Sequence, residues 1–222
     1  MQVAHSLDMW YPLNMKNALL GFCLLIATCH AGNAAAPNRS LALLAPSGNA
    51  GASAVLLGPE AVLTAAHAVR EVTPLFVCGK ERIKGSLVRL DALADLALLA
   101  LEKPCNQVDV TPMASVQEPD GAPVYTQGYP GTNARHTSAG IVASHEVIES
   151  VPPRLYMVMD VRISAGNSGG PVINSAGLLV GIVHGKICFS PEGPGMAATC
   201  YGLAVPITVI KDFLQGLNFQ KE

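Results

Sequence analysis

The chain has 222 residues, of which 50% are hydrophobic, 14% charged and 5% aromatic, and its formal net charge is -2. This length suits one domain or two small ones, and the short apolar runs between Gly and Pro exclude disorder, a coiled coil and a collagen-like structure. The chain contains no basic run, so it lacks the clustered cationic footprint of a protein that binds nucleic acid.

The N-terminal region has the pattern of a secretory signal. An uncharged apolar stretch at 18–29 follows Lys16 and precedes small residues, and it is shorter than the roughly 20 apolar residues of a membrane span. Residues 1–14 contain no Lys or Arg, whereas Met15 and Lys16 make a suitable start, so translation from Met15 is an alternative. We expect residues 1–36 to be removed as a signal region. Residues 37–222 would then form a secreted or periplasmic domain with no membrane association.

Short apolar runs bounded by Gly, Pro, Asn or Asp follow one another along residues 54–205, as short strands do. They predict an all-β barrel or a pair of barrels. Residues 33–49 are small, polar and Pro-containing, and this composition indicates an arm that leads into the domain. Apolar residues at helical spacing occur at 207–217 and predict a closing C-terminal helix.

The cysteines indicate disulfides. Removal of the signal region leaves Cys78, Cys105, Cys188 and Cys200, and an even number in an exported chain is typical of paired cysteines. Proximity along the chain favours Cys78–Cys105 and Cys188–Cys200, and unpaired buried thiols are the alternative. The sequence has no C-x-x-C pair, so we expect no metal site.

Three motifs carry the residue types of nucleophilic catalysis. Ser168 lies in the segment G-N-S-G-G-P at 166–171, where a tight Gly-rich turn exposes the hydroxyl and aims backbone N–H groups at one point. Earlier in the chain, His67 ends the motif T-A-A-H and Asp95 begins the run D-L-A-L-L. An imidazole, a carboxylate and a hydroxyl in this chain order predict one class of catalytic triad.

On these motifs the chain resembles the trypsin/chymotrypsin clan of serine proteases, and most of all the bacterial secreted and Deg/HtrA-type protease domains. Softer matches lie at Gly128–Gly131, at 138–142 and at 202–206. The resemblance implies an all-β fold, with two packed six-stranded antiparallel β-barrels and a C-terminal helix. The triad would lie in the cleft between the barrels.

The resemblance also implies a role for each motif residue in a secreted serine endopeptidase. His67 takes the proton of the Ser168 hydroxyl and later gives it to the leaving amine, while Asp95 orients the imidazole. The N–H groups of Gly166 and Ser168 form the oxyanion hole, and no cofactor is involved. Asp91 is the alternative acid, but Asp95 directly precedes the apolar run, as the catalytic Asp of the family does.

Two departures from the digestive enzymes bear on regulation and partners. Gly169 follows the nucleophile, where those enzymes carry an Asp that pairs with a newly freed N-terminus, so we expect no activation through that ion pair. The chain ends soon after the resembling segment, and we expect no PDZ module. The implied partners are protein or peptide substrates, and the oligomeric state is left open.

The resemblance further implies a pocket for the substrate residue before the scissile bond, P1. Its walls map to 162–165, 183–185 and 201–203, which contain no Asp, so cleavage after Arg or Lys is disfavoured. The candidate substrate-binding residues are Ile163, Ala165, Val183, His184 and Gly185. The aliphatic ones predict a shallow apolar pocket for Val, Ala or Leu. Alternatively, His184 with Arg162 would bind an acidic P1 side chain.

Two other functions compete with the peptidase. The segment at 166–170 also fits G-x-S-x-G of the α/β-hydrolases, but only His184 follows Ser168 and the helices of that fold are lacking. A lipase or esterase is therefore disfavoured. A catalytically silent, protease-like binding module is the other alternative. Such modules usually lose a triad residue or the Gly-rich turn, and both are present here.

Overall fold

The structure is a computed structural model that describes residues 37–217, with gaps at 46, 70–72, 132, 150–152 and 190–197. The expected signal region, at 1–36, lies outside the described residues, as does most of the segment between Cys188 and Cys200. Within the described ranges, twelve strands form two closed barrels. The predicted all-β fold of two six-stranded barrels is confirmed.

The first barrel comes from the N-terminal half of the described chain. Its strands are β1 (Leu41–Leu44), β2 (Ala50–Leu56), β3 (Ala61–Ala65), β4 (Leu75–Cys78), β5 (Glu81–Asp91) and β6 (Leu96–Leu101), and a 3-10 turn at Ala66–Ala68 follows β3. They pair antiparallel in the closed order β1-β2-β3-β6-β5-β4.

The second barrel is built from the C-terminal half. Its strands are β7 (Pro123–Gly128), β8 (His136–Ile148), β9 (Arg154–Asp160), β10 (Pro171–Asn174), β11 (Leu179–Phe189) and β12 (Thr199–Pro206), in the closed antiparallel order β10-β11-β12-β9-β8-β7. Helix α1 (Ile207–Leu214) follows at once and packs against β11 and β12, so the predicted C-terminal helix is confirmed. Among the described residues, no helix is long and apolar enough to cross a membrane.

Strand β1 corrects the expectation of an arm at 33–49. All four of its residues are buried, and it pairs with β2 on one side and with β4 on the other. A four-residue run with Asn, Pro, Ser and Gly around it shows too little periodicity to stand out in the sequence. The strand is specified by the two neighbours between which it closes the barrel.

Strand β6 connects the interiors of the two barrels. Successive side chains of a strand point to opposite faces, and here both faces are covered. Ala97, Leu99 and Leu101 pack inside the first barrel, while Leu96 and Leu98 pack with the core of the second barrel. This double burial explains the uninterrupted apolar run, and it fixes the start of β6 at the junction between the barrels.

The favoured disulfide pairing is confirmed. Cys78, at the end of β4, is bonded to Cys105. Cys188 on β11 is bonded to Cys200, its direct neighbour across the ladder on β12. Each bond closes a loop that, in the chain-entropy account, stabilises the fold by about 3 kcal/mol.

Candidate active site

The serine of the Gly-rich motif lies in a turn that only glycines can build. Gly166 and Gly169, on either side of Ser168, have φ of 97° and 83°, which is the left-handed region that favours glycine. A Cβ on Gly169 would also overlap the carbonyl O of Ser53 and the hydroxyl of Thr64. The turn therefore packs directly on the first barrel, and no side chain fits at the position after the nucleophile.

Ser53, on β2, fastens this turn to the first barrel. Its backbone N–H donates to the carbonyl O of Ser168 at 2.8 Å. Its side-chain hydroxyl donates to the carbonyl O of Gly166 at 2.7 Å and accepts the N–H of Tyr129 at 3.0 Å. Thr64 in turn donates its hydroxyl to the carbonyl O of Ser53 at 2.7 Å. Sequence reasoning missed Ser53, because one Ser within an apolar strand forms no motif.

Two backbone donors beside the serine are available to a substrate. The N–H groups of Asn167, Gly169 and Gly170 all donate to backbone carbonyls. In the described part of the chain, those of Gly166 and Ser168 donate to none. These are the two groups expected to form the oxyanion hole, and two N–H groups without a backbone partner so near the serine in the chain suit that role.

Asp95 is the most constrained residue of the site. Its side chain is 5% exposed, and its φ of 56° is the one positive value among the described non-glycine residues. Such a conformation costs on the order of 1–3 kcal/mol and persists only where surrounding contacts enforce it. Its contacts are with His67, whose backbone N–H donates to Oδ1 at 2.9 Å and whose Nδ1 lies 2.8 Å from Oδ2.

A second imidazole also bonds to this carboxylate. The Nδ1 atom of His184 lies 2.5 Å from Oδ2 of Asp95. Burial alone would raise the pKa of Asp95, but the hydrogen bonds from His184 and His67 outweigh it and hold this pKa well below its usual range. Asp95 is therefore an ionised carboxylate with an imidazole from each barrel.

Asp91, the alternative acid, has a local role. Its Oδ1 accepts the backbone N–H groups of Leu93 at 2.8 Å and Ala94 at 2.9 Å. This is the side-chain-to-backbone pattern by which Asp stabilises turns, and the turn leads into Asp95. The structure thus pairs Asp95, and not Asp91, with His67.

A β-bulge places His184 in the site. The pairing of β11 with β12 shifts between Val183 and Gly185, and a bulge of this kind re-aims a side chain. The His184 ring makes an edge contact with that of His67, with centroids 5.4 Å apart, and lies 5.0 Å from the ring of Tyr156. Its carbonyl O accepts the hydroxyl of Ser168 at 3.0 Å. The sequence suggested a pocket residue here and missed the bond to Asp95.

The remaining predicted pocket residues differ in exposure. Ile163 and Val183 are buried in the core of the second barrel, whereas Ala165, next to the serine turn, is exposed. The carbonyl O of Val183 accepts the N–H of Gly169, and the N–H of Val183 donates to the carbonyl O of Gly170. These two bonds hold the serine turn on β11. Among the described residues, no atom lies within 4 Å of a Cβ placed at Gly185.

Two clefts meet at His67. One, of about 220 Å³, has Ser168, Gly166 and Ala165 on one wall and apolar residues of the first barrel, Leu43 among them, on the other. The second, of about 480 Å³, is lined by Ala66, His67, Leu90, Ala92, Asp95, Arg154 and His184. Ser168 and His67 both line the first cleft, and His67 also lines the second.

Two closed barrels, with a histidine–aspartate pair and a serine turn at one cleft, define the class of chymotrypsin-like double-barrel proteins. A family model described as a trypsin-like peptidase domain matches residues 52–182. The chain belongs to this family.

Individual relatives agree with this assignment. Serine endoprotease DegS of Haemophilus influenzae is 29% identical over 173 residues, 75% of this chain and 49% of DegS. The probable periplasmic serine endoprotease DegP-like of Rhizobium meliloti is 30% identical over 136 residues, 61% of this chain and 26% of that protein. The active form of the Rv3671c protease from M. tuberculosis shares the fold, with a TM-score of 0.65 at 20% identity over 83% of this chain and 82% of that one. The chain spans about half the length of these curated relatives or less.

Replacement of Ser53 by Ala tests the attachment of the serine turn. The substitution leaves the N–H of Tyr129 and the carbonyl O of Gly166 without their partner, and an unsatisfied buried group costs about 1–3 kcal/mol. We expect the free energy of unfolding in urea to fall by this amount. Ser115→Ala, at an exposed position, is the matched control and should change it by less than about 0.5 kcal/mol. Equal stability of the two variants would contradict the role of Ser53.

Proposed function

We propose that the chain is a serine endopeptidase of the Deg/HtrA type, with His67, Asp95 and Ser168 as its catalytic triad. The observation that carries the proposal is the double attachment of His67 to the buried Asp95, beside a cleft that Ser168 also lines. With Nδ1–H donated to the carboxylate, Nε2 of His67 keeps a lone pair and can accept a proton. This is the tautomer that a general base requires.

The proposed reaction begins with a rotation of the Ser168 side chain. Its hydroxyl leaves the carbonyl O of His184 and donates to Nε2 of His67, which takes the proton as the oxygen attacks the scissile carbonyl. Asp95 stabilises the imidazolium that results, because it is ionised and already bonded to the ring. The N–H groups of Gly166 and Ser168 bind the oxyanion of the tetrahedral intermediate.

The collapse of this intermediate completes the first half of the reaction. The imidazolium of His67 gives its proton to the amine, the C–N bond breaks, and the acyl group stays on Ser168. A water molecule then loses a proton to His67 and attacks the ester. The proton returns to the oxygen of Ser168, which releases the acid and regenerates the site.

The P1 pocket in this proposal is apolar. Ala165 is exposed and lines the cleft with Ser168, Ile163 and Val183 are buried in the core, and no described atom lies within 4 Å of a Cβ placed at Gly185. The imidazole of His184 is held by Asp95, so an acidic P1 side chain would have to compete with that carboxylate for it. Small aliphatic P1 residues, such as Val, Ala and Leu, fit this surface best.

The proposal includes export of the protein. The pattern at 1–36 is that of a signal region. Two disulfides form in the described domain, and such bonds persist in oxidising compartments. A periplasmic or secreted peptidase with protein or peptide substrates is consistent with both features.

A catalytically silent binding module is the second candidate, and one contact favours it. The hydroxyl of Ser168 donates to the carbonyl O of His184, a bond that competes with the one to His67. In a silent module this bond would persist when a peptide binds, and the cleft would retain peptides without cleaving them.

Paired Asn substitutions at the two candidate acids test the proposed triad. Asp95→Asn removes the charge that fixes the His67 tautomer, and we expect kcat for a peptide substrate to fall about 10⁴-fold. Asp91→Asn keeps an oxygen that accepts the N–H groups of the turn, so it should change kcat by less than about threefold. The reverse ranking would move the acid to Asp91. Undetectable hydrolysis by the unmodified protein would favour the silent module.

A peptide-library digest tests the proposed pocket. We expect cleavage after Val, Ala or Leu, because the surface next to the serine turn is apolar. Ser168→Ala, purified in the same way, is the control for contaminating proteases and should give no cleavage products. Cleavage after Glu or Asp that His184→Asn loses, while it keeps cleavage after other residues, would establish the acidic pocket instead. Efficient cleavage after Arg or Lys would contradict both the apolar and the acidic pocket.

A further inference from the structure

Three metal-ligating side chains converge at the junction of the two clefts. Nδ1 of His67 and Nδ1 of His184 lie 2.8 Å and 2.5 Å from one oxygen of Asp95. The ligand atoms of the three residues all lie within 4.8 Å of one another. Two imidazoles on one carboxylate oxygen exceed what the proposed triad needs, since His67 alone serves as its base.

We propose that His67, Asp95 and His184 form a binding site for a divalent transition-metal ion, with Zn²⁺ as the best fit, and that the bound ion switches off the peptidase. The binding site stands on the geometry alone, whereas the inhibition rests on the proposed function. Under this proposal the peptidase is active when the site holds no metal ion and inactive when Zn²⁺ is bound there.

The donor set matches the preferences of zinc. Zn²⁺ binds His nitrogen at about 2.0–2.1 Å and carboxylate oxygen at about 2.0–2.2 Å, and open sites with three protein ligands keep a fourth position for water. Small movements of the two rings would bring both Nδ1 atoms to one ion. Asp95 supplies the negative charge of the site. The backbone N–H of His67 donates to its carboxylate, and this bond limits the movement of the Asp95 side chain.

The ion has a path to these ligands. The side chains of His67 and His184 are 42% and 26% exposed, and both line the cleft of about 480 Å³. The cation of that cleft, Arg154, donates to the carbonyl O of Ala92 at 3.0 Å. Arg154 keeps its positive charge, but no described hydrogen bond joins it to Asp95, whose carboxylate is bonded by the two imidazoles. The ion would reach the site through the cleft that both histidines line.

Coordination would abolish the general base through the tautomer of His67. A neutral imidazole that binds zinc through Nδ1 carries its proton on Nε2. The proton of Nδ1 moves to Nε2 through solvent, so no net proton is released from a neutral ring and no redox change occurs. Nε2 then faces the serine turn as a donor and cannot accept the proton of Ser168.

No sequence motif predicts this site. The partners of Asp95 lie 28 and 89 residues away along the chain, and the expectation of no metal rested on the absence of a C-x-x-C pair. The site arises where a residue of the first barrel, its neighbouring Asp and a bulged strand of the second barrel meet.

The first experiment measures binding without hydrolysis. Zn²⁺ is titrated calorimetrically into the purified Ser168→Ala protein, which keeps all three ligands. We expect one ion with micromolar or tighter affinity. His184→Asn in the same background should weaken it at least tenfold, whereas His136→Asn, at an exposed histidine of β8, should leave it unchanged. Equal affinity in the two His variants, or no micromolar site, would overturn the proposal.

A spectroscopic arm keeps the test independent of whether the His184 variant folds. Co²⁺ added to the Ser168→Ala protein should give the intense visible absorption of a four-coordinate site, and Zn²⁺ should remove it. Absence of that band at saturating Co²⁺ would overturn the proposed coordination. Thermal unfolding of each variant identifies any loss of affinity that comes from misfolding.

The activity arm separates the two proposals. For the unmodified protein, Zn²⁺ should inhibit peptide cleavage at the concentration at which it binds, and EDTA should restore cleavage fully. Binding with no effect on cleavage would overturn the proposed inhibition. The protein could also bind Zn²⁺ through His184 and yet cleave no peptide even after EDTA. That outcome would support the metal site and contradict the proposed peptidase.

Discussion

The carboxylate of Asp95 links the two barrels at the cleft. It accepts one imidazole from the first barrel, His67, and one from the second, His184. Its position follows from β6, whose alternating residues belong to both cores, so the residue just before that strand is fixed at the junction. A positive φ at a buried Asp is costly, and the three hydrogen bonds to this side chain are the contacts that offset the cost.

The serine turn depends on the same junction. Ser168 belongs to the second barrel, yet its carbonyl O and that of Gly166 are bonded to Ser53 of the first. The absence of a side chain at Gly169 allows this close approach. Nucleophile and base are therefore positioned by two separate sets of hydrogen bonds between the barrels, one through Ser53 and one through the carboxylate of Asp95. Catalysis by this constellation would need both to hold.

Local patterns in the sequence predicted much of this arrangement, but they did not predict the features that depend on tertiary contacts. The strand pattern, the disulfide pairs and the motifs around His67 and Ser168 are read from neighbouring residues. Strand β1 was missed because four residues carry too little periodicity. Ser53 and the bond between His184 and Asp95 were missed because they depend on a packed turn and on a β-bulge, which leave no pattern within one segment. The preference for Asp95 over Asp91 relied on sequence position alone. The structure supplies the physical reason, because the carboxylate of Asp91 is bonded to the N–H groups of the turn that precedes Asp95.

The central claim is that His67 and Asp95 activate Ser168 as a nucleophile, and covalent labelling tests it most directly. A fluorophosphonate reacts with an activated serine hydroxyl, and peptide mass mapping locates the adduct. We expect one equivalent of the label on Ser168 of the metal-free protein. We also expect a labelling rate at least about 1,000-fold lower in His67→Ala, because the base that removes the proton is gone. An unlabelled Ser168, or labelling at the same rate in both proteins, would contradict it.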